Sequence, residues 1–154
     1  MLDLSTWILT GVAVYGAGLS TYNLIIERVK NKKRIKTDLK VGLLTYPNGK
    51  TSDAKFILTA RNIGNIPVII NPPVIILPYA KQIILNDLES NICFPHELNP
   101  QNSCEAWTDL KELAKSMKEQ GYAGRVKIRI EFRDAVDKRY QSKPFLFYVG
   151  EWTK

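Results

Sequence analysis

From Leu4 to Ile26 the chain runs for 23 residues without a charged side chain, and a block of cations from Arg28 to Lys36 follows at once. At about 1.5 Å per residue a helix over this run is roughly 34 Å long, enough to cross a hydrocarbon core of about 30 Å. The run therefore predicts a transmembrane helix. Its polar members, Ser5, Thr6, Thr10, Ser20, Thr21 and Asn23, lie near the ends or are of types that return a hydrogen bond to their own helix. Trp7 and Tyr22 stand toward opposite ends, where interfacial aromatics sit. A cleaved signal would carry cations ahead of the apolar run, and only Asp3 and the terminal amine precede it, so an uncleaved anchor is expected.

Arg28, Lys30, Lys32, Lys33, Arg34 and Lys36 face Glu27 alone, an excess of +5 over residues 27–36. Cations beside a span stay on the cytoplasmic side, so the rest of the chain is expected there, with these six side chains at lipid headgroups. The expected organisation is an anchor over 1–26, a basic juxtamembrane linker over 27–37 and a domain over 38–154. An amphipathic interfacial helix and a buried helix of a soluble domain compete with this reading. The evenly apolar stretch from 8 to 19 favours the span. Ala13 with Ala17, and Gly16 with Ser20, have the small-residue spacing with which two anchors pack.

The net charge is +7, and most of it belongs to this flank. From Thr37 to Lys154 there are 16 Lys and Arg against 13 Asp and Glu, an excess of only +3. A basic chain suggests nucleic acid. Here each flanking cation is better matched to anionic lipid, worth about 1 kcal/mol apiece, so membrane lipid is the expected partner and nucleic acid is disfavoured.

Beyond the flank the pattern is mostly period two. Ala54, Phe56, Leu58 and Ala60 alternate with Lys55, Thr59 and Arg61, and Val126, Ile128, Ile130 and Phe132 alternate with Lys127, Arg129, Glu131 and Arg133. Further strands are expected at 39–46, 66–70, 74–77, 82–85, 103–108 and 140–148. Turn residues separate them at Pro47-Asn48-Gly49, Asn62 to Asn65, Pro72-Pro73, Asn99 to Asn102 and Asp134 to Lys138. Turns about every ten residues argue for an antiparallel sandwich. One helix interrupts: Thr108 or Asp109 caps it, Leu110, Leu113, Ala114 and Met117 form its apolar stripe, and Gly121 stops it. Trp107 and Tyr122, on either side, are expected to cover one edge of the core. The predicted fold is mainly β: a transmembrane helix, then an antiparallel immunoglobulin-like β-sandwich with one short late helix.

Phe56 to Val68, FILTARNIGNIPV, resembles the B strand, turn and C strand of bacterial immunoglobulin-like domains, with their Asn-x-Gly-Asn turn. His96 to Cys104, HELNPQNSC, is similar to the segment leading into strand E of such domains, with Gln101 where Gly is usual. The whole chain, with its Lys-Pro-Phe final strand, resembles small uncharacterised bacterial single-pass membrane proteins that carry an immunoglobulin-like β-sandwich. The resemblance implies a fold and no activity.

Catalytic chemistry is sparse. Cys93 and Cys104 are eleven residues apart, and a cytoplasmic placement makes two buried free thiols the expectation over a disulfide. Cys93, His96 and Cys104 make three zinc-ligand candidates without a fourth Cys or His, so no metal or other cofactor is expected. Glu131 and Asp134 read as solvated charges on a strand and its turn. No nucleophile, base and orienting group come together, so an enzyme is not expected. The leading reading is a membrane-anchored interaction or sensing domain at the cytoplasmic face, binding another protein or a second copy of itself. Residues 140–148, broken by Pro144, form the expected edge strand, with Tyr140, Phe145 and Phe147 as candidate interaction residues. The alternative is a membrane-acting effector or regulator of a phage or host-conflict system, whose anchors oligomerise through Ala13, Gly16, Ala17 and Ser20.

Overall fold

The computed structural model describes residues 3–45, 47, 49–85 and 88–152. Tyr46 and Asn48, expected in the first strand and its turn, lie outside the described residues. The chain is mainly β, with an N-terminal apolar helix and a short later one.

Helix α1, Leu4–Lys30, is long and apolar enough to cross a membrane, and none of its residues is buried. The hydroxyls of Thr10 and Thr21 donate to the carbonyls of Thr6 and Ala17 at 2.8 and 2.9 Å, which satisfies them inside the helix. The helix runs past the expected anchor to Lys30, and the first strand begins at Ile35, so only residues 31–34 separate them. The expected linker over 27–37 is therefore mostly helix and strand.

The strands are β1 (Ile35–Thr45), β2 (Thr51–Asn62), β3 (Val68–Ile70), β4 (Val74–Ile76), β5 (Gln82–Ile84), β6 (Glu89–Ser90), β7 (His96–Leu98), β8 (Ser103–Asp109), β9 (Arg125–Arg133), β10 (Arg139–Gln141) and β11 (Phe145–Tyr148). Two four-strand paths form, β1-β2-β8-β6 and β10-β9-β4-β5, every pair antiparallel, with β11 on β9 and a separate β3–β7 ribbon. Strands β6 and β7, short and flanked by loops, lack the alternation that betrays longer strands. Strands β10 and β11 lie along the same partner, where three residues, Ser142 to Pro144, face two on β9, a β-bulge. Ser142 bridges it: its N–H donates to the Ile130 carbonyl and its Oγ accepts from the Ile130 N–H.

The alternating apolar residues of both sheets enter one core. Phe56, Leu58 and Ala60 of β2 and Ile128, Ile130 and Phe132 of β9 are all fully buried in it. The Phe56 ring meets Phe145 edge-on at 5.5 Å and Phe147 at 5.3 Å, tying β2 to β11. Helix α2 (Leu110–Glu119) is capped by Asp109, whose carboxylate accepts the N–H groups of Lys111 and Glu112. It buries Leu110, Leu113, Ala114 and Met117, and Gly121 ends it at φ +85°. Trp107 departs from expectation: on β8 the buried face holds Cys104, Ala106 and Thr108, so Trp107 lies on the opposite face, where its Nε1 donates to Glu89. Tyr122 alone of the pair packs on the core.

The pairings also define two poles. β1 starts, and β2 and β9 end, at the pole that α1 enters, together with the 134–138 turn. Helix α2, between the end of β8 and the start of β9, covers the other.

Candidate membrane-proximal site

Three turns converge where α1 meets the β domain. Asn62, fully buried at the end of β2, donates from Nδ2 to the carbonyls of Ile66 and Leu98 at 2.8 and 2.9 Å and accepts the Gly64 N–H at 2.9 Å. Its side chain thus shapes the Asn62 to Asn65 turn and joins it to β7. The Ile63 N–H donates to the Arg34 carbonyl at 2.9 Å. Gly64 is pressed so closely against this segment that a Cβ there would lie 2.8 Å from the Lys32 carbonyl oxygen. Only glycine permits that approach.

Asp134 makes the second tie. Its side chain has no exposure, and the sequence reading of Asp134 and Glu131 as solvated charges is corrected: both residues are 1% exposed. Asp134 Oδ1 accepts the N–H groups of Val136 and Lys138 at 3.0 and 2.9 Å, while Oδ2 accepts from Lys33 Nζ at 3.2 Å and the Tyr140 hydroxyl at 3.3 Å. Burial pushes the carboxyl up, but the Lys138 N–H, the Lys33 ammonium and the Val136 N–H outweigh it and hold Asp134 below its ordinary value. Burial, then the neighbouring carboxylate, pushes the Tyr140 hydroxyl up to about 12. Glu131 follows the same logic, accepting from Arg133 Nε and Gln141 Nε2 at 2.7 Å each. Burial acts upward on it and these two donors carry it downward.

Of the six cations read as headgroup ligands, Lys33 is half-buried and paired inward with Asp134, while Arg28, Lys30, Lys32, Arg34 and Lys36 are exposed. Two cations that the linear reading missed join them. Arg61 stands directly across from Lys36 on the neighbouring strand, and the Lys138 ammonium donates to the Lys33 carbonyl at 3.4 Å. The antiparallel pairing of β1 and β2 is the signal that brings Arg61 there.

Trp7 and Tyr22 are exposed on α1, and Ala13, Gly16, Ala17 and Ser20 form an open helix face on which a Cβ at Gly16 would meet nothing within 4 Å. β10 and β11 do line the outer flank of β9, but Tyr140 and Phe147 are buried at 7% and 1% exposure and Phe145 is half-buried. Their side chains belong to the core. Arg139, Gln141 and Leu146 are the strand residues that this edge shows to solvent. Cys104 is buried, and burial raises its thiol to about 11, whereas Cys93 is exposed, against the expectation of two buried thiols. His96 is half-buried on β7. Among the described residues no group of three His, Cys, Asp or Glu side chains is placed to hold a metal ion.

No protein-family model matches this sequence, and no curated protein matches it. A solved structure titled "X-ray structure of Northeast Structural Genomics Consortium target SoR45" aligns at 11% identity over 78% of this chain and 89% of that chain, with a TM-score of 0.28. At that score the likeness carries no argument about fold or function.

Proposed function

We propose that this chain is a single-pass membrane protein that holds an immunoglobulin-like interaction sandwich against the cytoplasmic leaflet. The observation that carries the reading is the mounting of the β domain on the end of α1: a backbone hydrogen bond from Ile63 to Arg34 and the Lys33–Asp134 pair join them, and exposed cations ring the joint. A 27-residue apolar helix with no buried residue has no role inside the fold, and cations beside a span stay cytoplasmic. The strand orders β1-β2-β8-β6 and β10-β9-β4-β5 support the sandwich type, because they follow the A-B-E-D and C′-C-F-G neighbours of immunoglobulin-like domains. The two buried carboxylates are taken up in holding turns and strands together, which favours an interaction module over an enzyme. Partners then meet the loops or the β10–β11 edge, and anchoring raises the effective concentration of any partner in the same membrane.

The native cysteines supply the test. Cys93 is exposed and Cys104 buried, so maleimide should label the first and spare the second. In intact cells a membrane-impermeant maleimide should leave the protein unlabelled, and permeabilisation should add one label, lost in Cys93→Ser. Labelling in intact cells would reverse the orientation.

A further inference from the structure

The positive charge of the β domain is concentrated on one of its sheets. Strands β1, β2, β6 and β8 carry Lys36, Lys40, Lys55 and Arg61 against Asp38, Asp53, Glu89, Glu105 and Asp109, a net −1. Strands β4, β5, β9, β10 and β11 carry Arg125, Lys127, Arg129, Arg133 and Arg139 against Glu131 alone, a net +4. All five cations alternate with the buried residues of their strands, so all five lie on the outer face of the second sheet. Its one carboxylate is buried under Arg133 and Gln141, and among the described residues no ion pair neutralises Arg125, Lys127 or Arg129.

This face carries two shallow, open depressions. A depression of about 480 Å³ is lined by Ile76, Pro78, Ala80, Lys127, Arg129 and Pro144, and one of about 500 Å³ adjoins it through Pro78 and Lys127 and reaches Tyr79, Arg125 and Leu146. Together they form a trough with a cationic floor along β9, walled on one side by the 78–80 turn and on the other by Pro144 and Leu146. Arg125, Lys127 and Arg129 recur every second residue, about 7 Å apart. The 78–80 turn is strained: Tyr79 and Ala80 are both left-handed, at φ 61° and 57°, and the Tyr79 side chain stands 95% exposed above the trough. Consecutive left-handed non-glycine residues are held at a cost, and such strain gathers where a side chain is presented to a ligand.

From this we infer that the trough along β9 binds single-stranded nucleic acid, with Arg125, Lys127 and Arg129 on successive phosphates and a base stacked on Tyr79. Three features select that occupant. On a sheet face the backbone groups are already paired in the ladder, so recognition falls to cations and rings, the means by which single strands are held. An acidic peptide would instead use a free strand edge, and the carboxylate side chains that match the cations offer Tyr79 no ring to stack on. A bilayer would meet the pole that α1 enters, and Tyr79 and Arg125 lie toward the opposite pole. The inference rests on the cytoplasmic placement proposed above only for its access to nucleic acid, which the Cys93 labelling tests separately from binding.

The experiment uses the full chain in neutral detergent, with fluorescence anisotropy of a dye-labelled mixed-sequence single-stranded oligonucleotide. Three to four phosphate contacts predict an affinity that falls roughly 20- to 50-fold between about 50 and 200 mM salt. Tyr79→Ala should weaken binding roughly 5- to 150-fold. The double change Lys127→Ala with Arg129→Ala should flatten the salt dependence to a slope of about 1, with an unchanged near-ultraviolet circular dichroism spectrum showing that the fold is kept. No anisotropy change up to ~100 µM chain at low salt overturns the inference. So does binding that ignores both variants but is lost in Lys32→Ala with Arg34→Ala, which would assign it to the membrane flank. Equal competition by polyglutamate would make the partner an acidic peptide, and preference for anionic lipid vesicles over the oligonucleotide would make it a membrane, and either result overturns it as well.

Discussion

Asp134 is the side chain on which the joint between helix and sheet depends most. Removing it in Asp134→Ala leaves the Tyr140 hydroxyl and the N–H groups of Val136 and Lys138 without their partner, and Lys33 without its counter-charge. Loss of the buried Tyr140 bond, the two turn hydrogen bonds and the Lys33 pair predicts a cost of about 3 kcal/mol, read as a drop of roughly 10 °C in melting temperature by circular dichroism of the detergent-solubilised chain. The pH dependence has a definite sign. The folded carboxyls of Asp134 and Glu131 both lie below their ordinary values, so their contribution is complete above pH ~5 and is lost as the pH falls through the carboxylate range. Asp134→Asn, which keeps the acceptor oxygen and loses the charge, should melt at a temperature that varies less between pH ~3 and ~6. None of this was visible in the run of residues, where Glu131 alternates with Ile130 and Phe132 as a surface charge does and Asp134 opens a turn. Period two says which face a side chain takes, but whether an arginine and a glutamine lie down over that face is decided by the next strand.

Strands and helices were legible in proportion to their length. β2 and β9 alternate over enough residues to be read directly, and α2 carries its cap, stripe and glycine stop in order. β6 and β7 have two and three residues and no period to read. The β10–β11 edge was placed correctly as an element and misread in its side chains, because Tyr140 and Phe147 occupy alternate positions that look equally suited to solvent or core until the bulge at Ser142 to Pro144 is counted. This distinction predicts a contrast. Phe147→Ala should cost about 3 to 5 kcal/mol by opening a cavity against Phe56, and Leu146→Ser should change stability by less than about 1 kcal/mol, both measured by denaturant unfolding.

For the protein as a whole the close joint between α1 and the β domain is the unexpected property. Six flanking cations and a break in periodicity look like a pliable tether, yet four residues, a backbone hydrogen bond and an ion pair leave little slack. Gly64→Val, by forcing the 62–65 turn off the Lys32 carbonyl, should loosen this joint while leaving the core intact. Faster hydrogen exchange at Ile63, with unchanged protection at Ile128 and Ile130, is the expected result. Local composition settled a spanning-length helix, its cationic flank, the strand-rich domain and the one amphipathic helix, because length, charge and periodicity are properties of consecutive residues. Pairing across the sheets decided which charges are buried, which cations gather on β9 and how tightly α1 is held. Those depend on contacts between residues as far apart as Lys33 and Asp134, which no local pattern records.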